Sequence, residues 1–467
     1  MKFSRTNIAF TLVVLIYICL WTSGANDYFF WDTIQLGSKQ AHFFYKASEF
    51  SLLLPNEIDS GHFPLFGLYL SVWWDIFGKT LFISHLAMLP WVLWIIYVIF
   101  KLTTIYCAEK YRYLMVIIVC LEPTLLAQIT LISPDVILVA SFLSVWLYYQ
   151  KNNVVLLSVF VLVLSLISLR GFMVAGALFA SACLIWWQDK RNKKSFQMIP
   201  AFLPGMIAVL LFLGYHYQKS AWIGFHADSP WSPSFTKVSF SGILYNSGLF
   251  VWRMLDFGRV GIFILLFYIL RKEKRSFGFT TNFMFVSGIL TTLVLAGVTI
   301  GFQSLTAHRY YMPLYLIFLF ASLHLLYQSD LTSALKRIIS LGLALCMISG
   351  HFWVYPDGVS KGWDSSLSFR PVFSLYNDVE NYLKLKGIEK KEVTSFFPFL
   401  SQEKYWKLNE SSDCFVNAEE QKTKYLLLSN IHNDAPDSLF NIYSKENALY
   451  YVKSGDVWMG LFQNTKE

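Results

Sequence analysis

Apolar runs recur along the whole chain, and most of them end at lysine and arginine on alternate sides. Such runs occupy residues 8–20, 80–100, 113–131, 136–149, 154–169, 199–217, 283–302, 311–327 and 338–353, and two more lead into the basic clusters at 190–194 and 271–275. Crossing a hydrocarbon layer takes roughly 20 apolar residues, and a soluble domain of 467 residues has no use for so many runs of that kind. With 55% hydrophobic and only 15% charged residues, the chain reads as a polytopic α-helical membrane protein of about 11 transmembrane helices. Its formal charge of +8 is split into short clusters between spans instead of forming one basic face. Clusters of that kind set membrane orientation, so nucleic acid is not expected as a partner and the lipid bilayer is.

One assignment puts the basic clusters on the same side. Lys2 and Arg5 precede the first run, which places the N-terminus in the cytoplasm. Ser23-Gly24-Ala25 after that run also fits a signal cleavage site, but a retained first helix agrees with the later topology. The segment 64–77 is too short to span, and with Trp73 and Trp74 it suits a helix lying at the interface. An odd number of crossings then leaves everything after about residue 355 outside. The expected organisation is a transmembrane module over 1–354, with outer loops at 25–79 and 218–256, and a small extracytoplasmic α/β domain over 355–467. In that tail, 373–385 has helical spacing, 425–429 reads as a buried strand, and 449–462 as two strands joined at Lys453-Ser454-Gly455-Asp456. Cys414 alone among the six cysteines lies in the polar tail, and no CxxC pair is present, so neither a disulfide framework nor a zinc site is indicated. No internal repeat, GxGxxG or P-loop marks a nucleotide engine.

The polar residues follow the same sidedness. Asp27, Asp32, Glu49, Glu57, Asp59 and His62 crowd the first loop, and Asp135, Arg170, His216, Arg253, Asp256, His308 and Arg309 fall at outer ends of spans. Ionisable groups beside a membrane are costly and mark functional sites. ATP is absent on that face, so an enzyme there needs an activated donor that arrives through the membrane. A lipid-phosphate-linked sugar fits: its phosphate suits an arginine fork, and an acceptor hydroxyl needs a carboxylate base.

Trp31-Asp32 after the first run, Gly61-His62-Phe63-Pro64-Leu65-Phe66 closing the loop, Phe77-Gly78, Ser133-Pro134-Asp135, Arg170-Gly171 and Arg309-Tyr310-Tyr311-Met312-Pro313-Leu314 together resemble the GT-C superfamily of polyprenyl-phosphate-dependent glycosyltransferases. Over roughly the first 330 residues, the chain is similar to glycosyltransferase family 39, the protein mannosyltransferases, and to the aminoarabinose transferases of lipid A. The resemblance implies Asp32 as the catalytic carboxylate. The family often has Asp-Glu there, whereas Thr33 follows Asp32 in this chain, leaving Asp59 or Glu57 to supply a second acid. His62 falls in the stretch matching His-Pro-Pro-Leu, with Phe63 for the first proline. Asp135 matches an outer-face aspartate, Arg170 and Arg309 are implied phosphate contacts, and His308 joins them as a substrate-binding candidate. A frequent arginine of the next span is replaced by His85.

The implied activity is inverting transfer of a sugar from a polyprenyl-phosphate donor to a protein, lipid or glycan acceptor, with a bacterial inner membrane as the expected location. Each residue also has a structural reading: Asp59 and His62 as helix cap and hydrogen bond, Asp135 as a first-turn acid, and the arginines as interfacial snorkelling groups. Carboxylates with His suit a divalent cation, yet their spacing fixes no ligand set and the metal stays unassigned. The competing function is a transporter or flippase of lipid-linked sugar, which typically has midplane charges and repeated halves.

Overall fold

In a computed structural model of the chain, residues 4–188, 193–227, 232–272, 282–303, 306–353, 355, 362–418, 421, 423–432 and 434–464 are described. Lys190, Arg191, Lys274 and Arg275, members of the basic clusters named above, lie outside them. The fold is mostly helical with a small C-terminal sheet. Among the described residues, seven helices are long and apolar enough to cross a membrane, beginning with Arg5–Gly24 and Leu81–Tyr106 and ending with His308–Gln328 and Ser333–Phe352. This is the build of a membrane-embedded protein.

The first helix is packed into the bundle: Tyr17 donates to the Cys120 carbonyl at 2.8 Å and Trp21 to that of His85 at 2.9 Å. Leu65–Phe77, with 13 residues, is about 20 Å long at ~1.5 Å per residue, short of a ~30 Å hydrocarbon core. It buries Phe66, Leu70 and Trp74 and exposes Val72, Ile76 and Phe77, one apolar face on the protein and another turned away from it. Gly67 allows this approach, because a Cβ there would sit 2.5 Å from the Cβ of Gln40.

Two expectations need correction. The run 113–131 is not one span. Glu109–Cys120 ends before Glu122, and a short helix Pro123–Gln128 follows. Pro123 cannot continue a hydrogen-bonded ladder but suits a first helical position, and the Glu122 carboxylate accepts from the Leu125 amide at 2.6 Å. The loop 218–256 is not all loop, since it holds the helix Phe240–Leu255. Asn246 ties that helix to the carbonyls of Ile300 and Phe302 at 3.0 and 2.8 Å.

The helix ends segregate. At one end, Tyr111 donates to Ser333 at 2.9 Å, and His324 and Trp146 bond to the carbonyl and hydroxyl of Tyr106 at 2.7 and 2.8 Å. The other end meets the C-terminal residues. Phe30 stacks on Phe369 with centroids 5.2 Å apart, Tyr28 donates to Asn377 at 2.6 Å, and the Phe29 amide to the Trp406 carbonyl at 3.0 Å. The tail contains the helix Val372–Lys386 and strands β1 (Val393–Ser395), β2 (Val416–Asn417), β3 (Tyr425–Ser429), β4 (Tyr450–Ser454) and β5 (Val457–Gln463). Sheet order is β2-β1-β3-β5-β4, with β1 parallel to β2 and β3, and β5 antiparallel to β3 and β4. The expected helix and three strands are present; β1 and β2 are additional.

Glu380 anchors this tail to its own loops through Lys390 at 2.7 Å and Lys407 at 2.8 Å. Burial alone would raise its carboxyl, but the two lysines hold it at about 2 against an ordinary 4.5. A depressed folded value means stability that is present above the unfolded pKa and lost as pH falls through the folded one. The stability difference between the wild-type chain and Glu380→Gln should therefore be full above pH 4.5 and shrink between about pH 4.5 and 2. Thermal unfolding of both proteins across that window measures it, and a constant difference would contradict the assignment.

Candidate active site

A cavity of about 790 Å³ opens among the helix ends that meet the tail. Of the ionisable residues singled out from the sequence, Asp32, His62, Asp135, Arg170, Arg253, His308 and Arg309 line it.

Local structure explains how each gets there. Asp32 follows Trp31, a non-glycine residue in the left-handed region at φ 54°, a conformation usually sustained only by surrounding structure. Thr33 stabilises the turn by accepting from the Phe30 amide at 3.0 Å, and the chain then enters a π-helical stretch, Ile34–Lys39, of the kind that often marks functional positions. Asp135 sits in the first turn of Pro134–Gln150, where Ser133 caps its amide at 3.2 Å and the helix dipole favours an acid. Arg170 opens Leu169–Gln188, and Arg309 lies in the turn leading into Met312–Gln328.

Arg309 is the hub. Its Nη2 bonds Asp32, its Nη1 bonds Asp364, and its Nε lies 3.5 Å from Asp135. Arg170 bonds the other oxygen of Asp135, and its guanidinium lies 4.5 Å from the centre of the Tyr310 ring. Its Nη1 is buried and, among the described residues, has no hydrogen-bond partner. Asp32 is the most open acid of the group, its side chain 27% exposed against 4% for Asp135 and Asp364.

A second cluster flanks the hub. His308 Nε2 faces Asp256 at 2.8 Å, Arg253 Nη1 lies 3.4 Å from the same nitrogen, and Tyr355 donates to Asp256. Burial works to raise the Asp256 carboxyl, but His308, Tyr355 and the Phe257 amide hold it below its ordinary value. His62 lines the cavity with its Nδ1 3.3 Å from the Phe63 carbonyl, and burial pushes its imidazole below its ordinary value.

Asp59 differs from expectation. It does not line the cavity; its oxygens accept from the Gly61 amide at 2.8 Å and face His216 Nε2 at 2.9 Å. His216 also bonds the Trp222 carbonyl at 3.0 Å, so Asp59 ties the first loop to the second. His85 bonds the Asp27 carbonyl at 3.0 Å. Among the described residues, no group of three or more His, Cys, Asp or Glu is arranged to hold a metal ion.

Sequence reasoning missed Asp364 and the pair Glu122–Arg259. Arg259 donates to Glu122 at 2.9 and 2.5 Å and packs 3.7 Å over Tyr315, with both charged side chains fully buried. An acid inside an apolar run was a readable signal; nothing in the polar tail distinguished Asp364. No protein-family model matches the chain, and neither does any curated protein.

Proposed function

We propose that the chain is an inverting glycosyltransferase that moves a sugar from a polyprenyl-phosphate donor to a hydroxyl acceptor on the outer face of the membrane. The observation that carries this reading is the meeting of Asp32, Arg170 and Arg309 at one cavity. In the proposed step the acceptor oxygen attacks the anomeric carbon while Asp32 takes its proton. The bond from that carbon to the phosphate oxygen breaks, the electron pair leaves with the lipid phosphate, and the anomeric configuration inverts. Arg170 and Arg309 supply guanidinium donors for the departing charge. Leu249, Leu295 and Val298 give the cavity an apolar wall, and the largely exposed Tyr245 on that side leaves a route for a lipid chain between helices.

The same reading takes a cytoplasmic N-terminus, and the cavity and tail outside, in a bacterial inner membrane. Charges gathered at one end of the helices favour bond chemistry over transport, which draws on groups near the midplane. Purified protein incubated with a polyprenyl-phosphate sugar labelled in the sugar should release free lipid phosphate and a labelled acceptor. Sugar that stays on the lipid while crossing a vesicle membrane would overturn the proposal in favour of a flippase.

A further inference from the structure

The hub has more acids than bases. Asp32, Asp135 and Asp364 face Arg170 and Arg309, three negative charges to two positive. Both terminal nitrogens of Arg309 are already bonded to carboxylates, and its Nε faces a third. A phosphate added to this arrangement meets like charge at close range in a poorly solvated site, which is strongly unfavourable. For an anion to reach Arg309, one carboxylate has to give way.

The three acids are not held alike. Asp32 is fixed by a left-handed turn and a π-helical stretch, and Asp135 belongs to a helix and is shared with Arg170. Asp364 comes from the strap 362–369, which carries two short 3₁₀ turns and belongs to no bundle helix. Gln128 bonds the Asp364 carbonyl at 2.8 Å and Thr124 that of Ser365 at 3.3 Å, while Trp363 donates to the Asn430 carbonyl of the tail at 2.7 Å. The strap also covers the second cluster. Gly362 has φ 61°, and a Cβ on it would lie 2.3 Å from His308 Nδ1, a buried nitrogen without a hydrogen-bond partner among the described residues.

We propose that Asp364 is an internal anion occupying the place on Arg309 that a ligand phosphate takes, so that the strap sets the affinity of the cavity for phosphate-bearing molecules. Binding exchanges the Asp364–Arg309 pair for a phosphate–Arg309 pair, and moving the strap also uncovers His308 Nδ1. This rests on the reading of the cavity as a phosphate-donor site, and it makes Asp364 a specificity-determining residue supplied by the tail.

The test is direct binding, not turnover: titration of farnesyl phosphate and, separately, inorganic phosphate into the full-length protein in detergent. Asp364→Asn keeps the shape and removes the competing charge, and should tighten binding on the order of tenfold, whereas Asp364→Glu should stay near wild type. Gly362→Ala tests the same idea without touching the acid, because its methyl group pushes the strap from His308; it too should bind more tightly. Tightening confined to farnesyl phosphate supports a lipid-linked ligand, and equal tightening for inorganic phosphate supports a free phosphate ligand; both keep the internal anion. If wild type binds and neither Asp364→Asn nor Gly362→Ala binds more tightly, the internal anion is refuted while the donor reading stands. If no protein binds either probe, both fall.

Discussion

Asp32→Asn should lower sugar transfer by roughly 10²–10⁴-fold, the range a positioned general base contributes, while leaving expression and thermal stability close to wild type. The amide keeps an oxygen for Arg309 Nη2, so the hub retains much of its geometry, but it cannot accept the proton of the acceptor hydroxyl. Of the three acids around Arg309, Asp32 is the one with substantial solvent access, which is what an incoming acceptor requires. Release of lipid phosphate from labelled donor, measured at saturating donor, reads the effect. Wild-type turnover in this variant would remove Asp32 from the chemistry.

Glu122→Ala should destabilise the fold by about 3–5 kcal/mol, the usual consequence of removing one partner of a buried ion pair. Arg259 would be left fully buried with its charge unpaired, facing the ring of Tyr315. The damage should extend to the cavity, because Glu122 caps the short helix Pro123–Gln128, whose Thr124 and Gln128 hold the strap. Replacing both partners with apolar residues, Glu122→Leu with Arg259→Met, should recover much of the loss. Thermal unfolding in detergent compares the three proteins; a single variant as stable as wild type would show that the pair is not needed.

Much of this was written in the chain in a form that periodicity reveals. Long apolar runs, the amphipathic segment at Leu65–Phe77, and the tail's Val372–Lys386 and Tyr425–Ser429 each carry their own local signal. So do Asp135 and Arg170, placed at helix starts by Ser133-Pro134 and by the end of the preceding run. What stayed hidden depends on partners far away in sequence. Asp59 looks like a reactive acid until His216, 157 residues later, takes one of its oxygens. Glu122 looks like a blemish in a span until Arg259 meets it. Phe240–Leu255 was masked by the Trp, Pro and Ser around it, and Asp364 sits in a tail whose polar residues are numerous and alike. Local pattern identifies elements; it cannot identify which distant charge an ion pair will choose.

The way Arg309 gathers its carboxylates also has a consequence for biosynthesis. Chains emerge from the ribosome N-terminus first at ~5–20 residues per second, so Asp32 and Asp135 enter the membrane well before their shared guanidinium exists, and Asp364 follows last. Between Asp135 and Arg309, translation takes on the order of 10–35 s. Throughout that interval a nascent protein carries Asp32 beside lipid without its guanidinium partner, while Asp135 has Arg170 alone, and a chain terminated before Arg309 never acquires that relief.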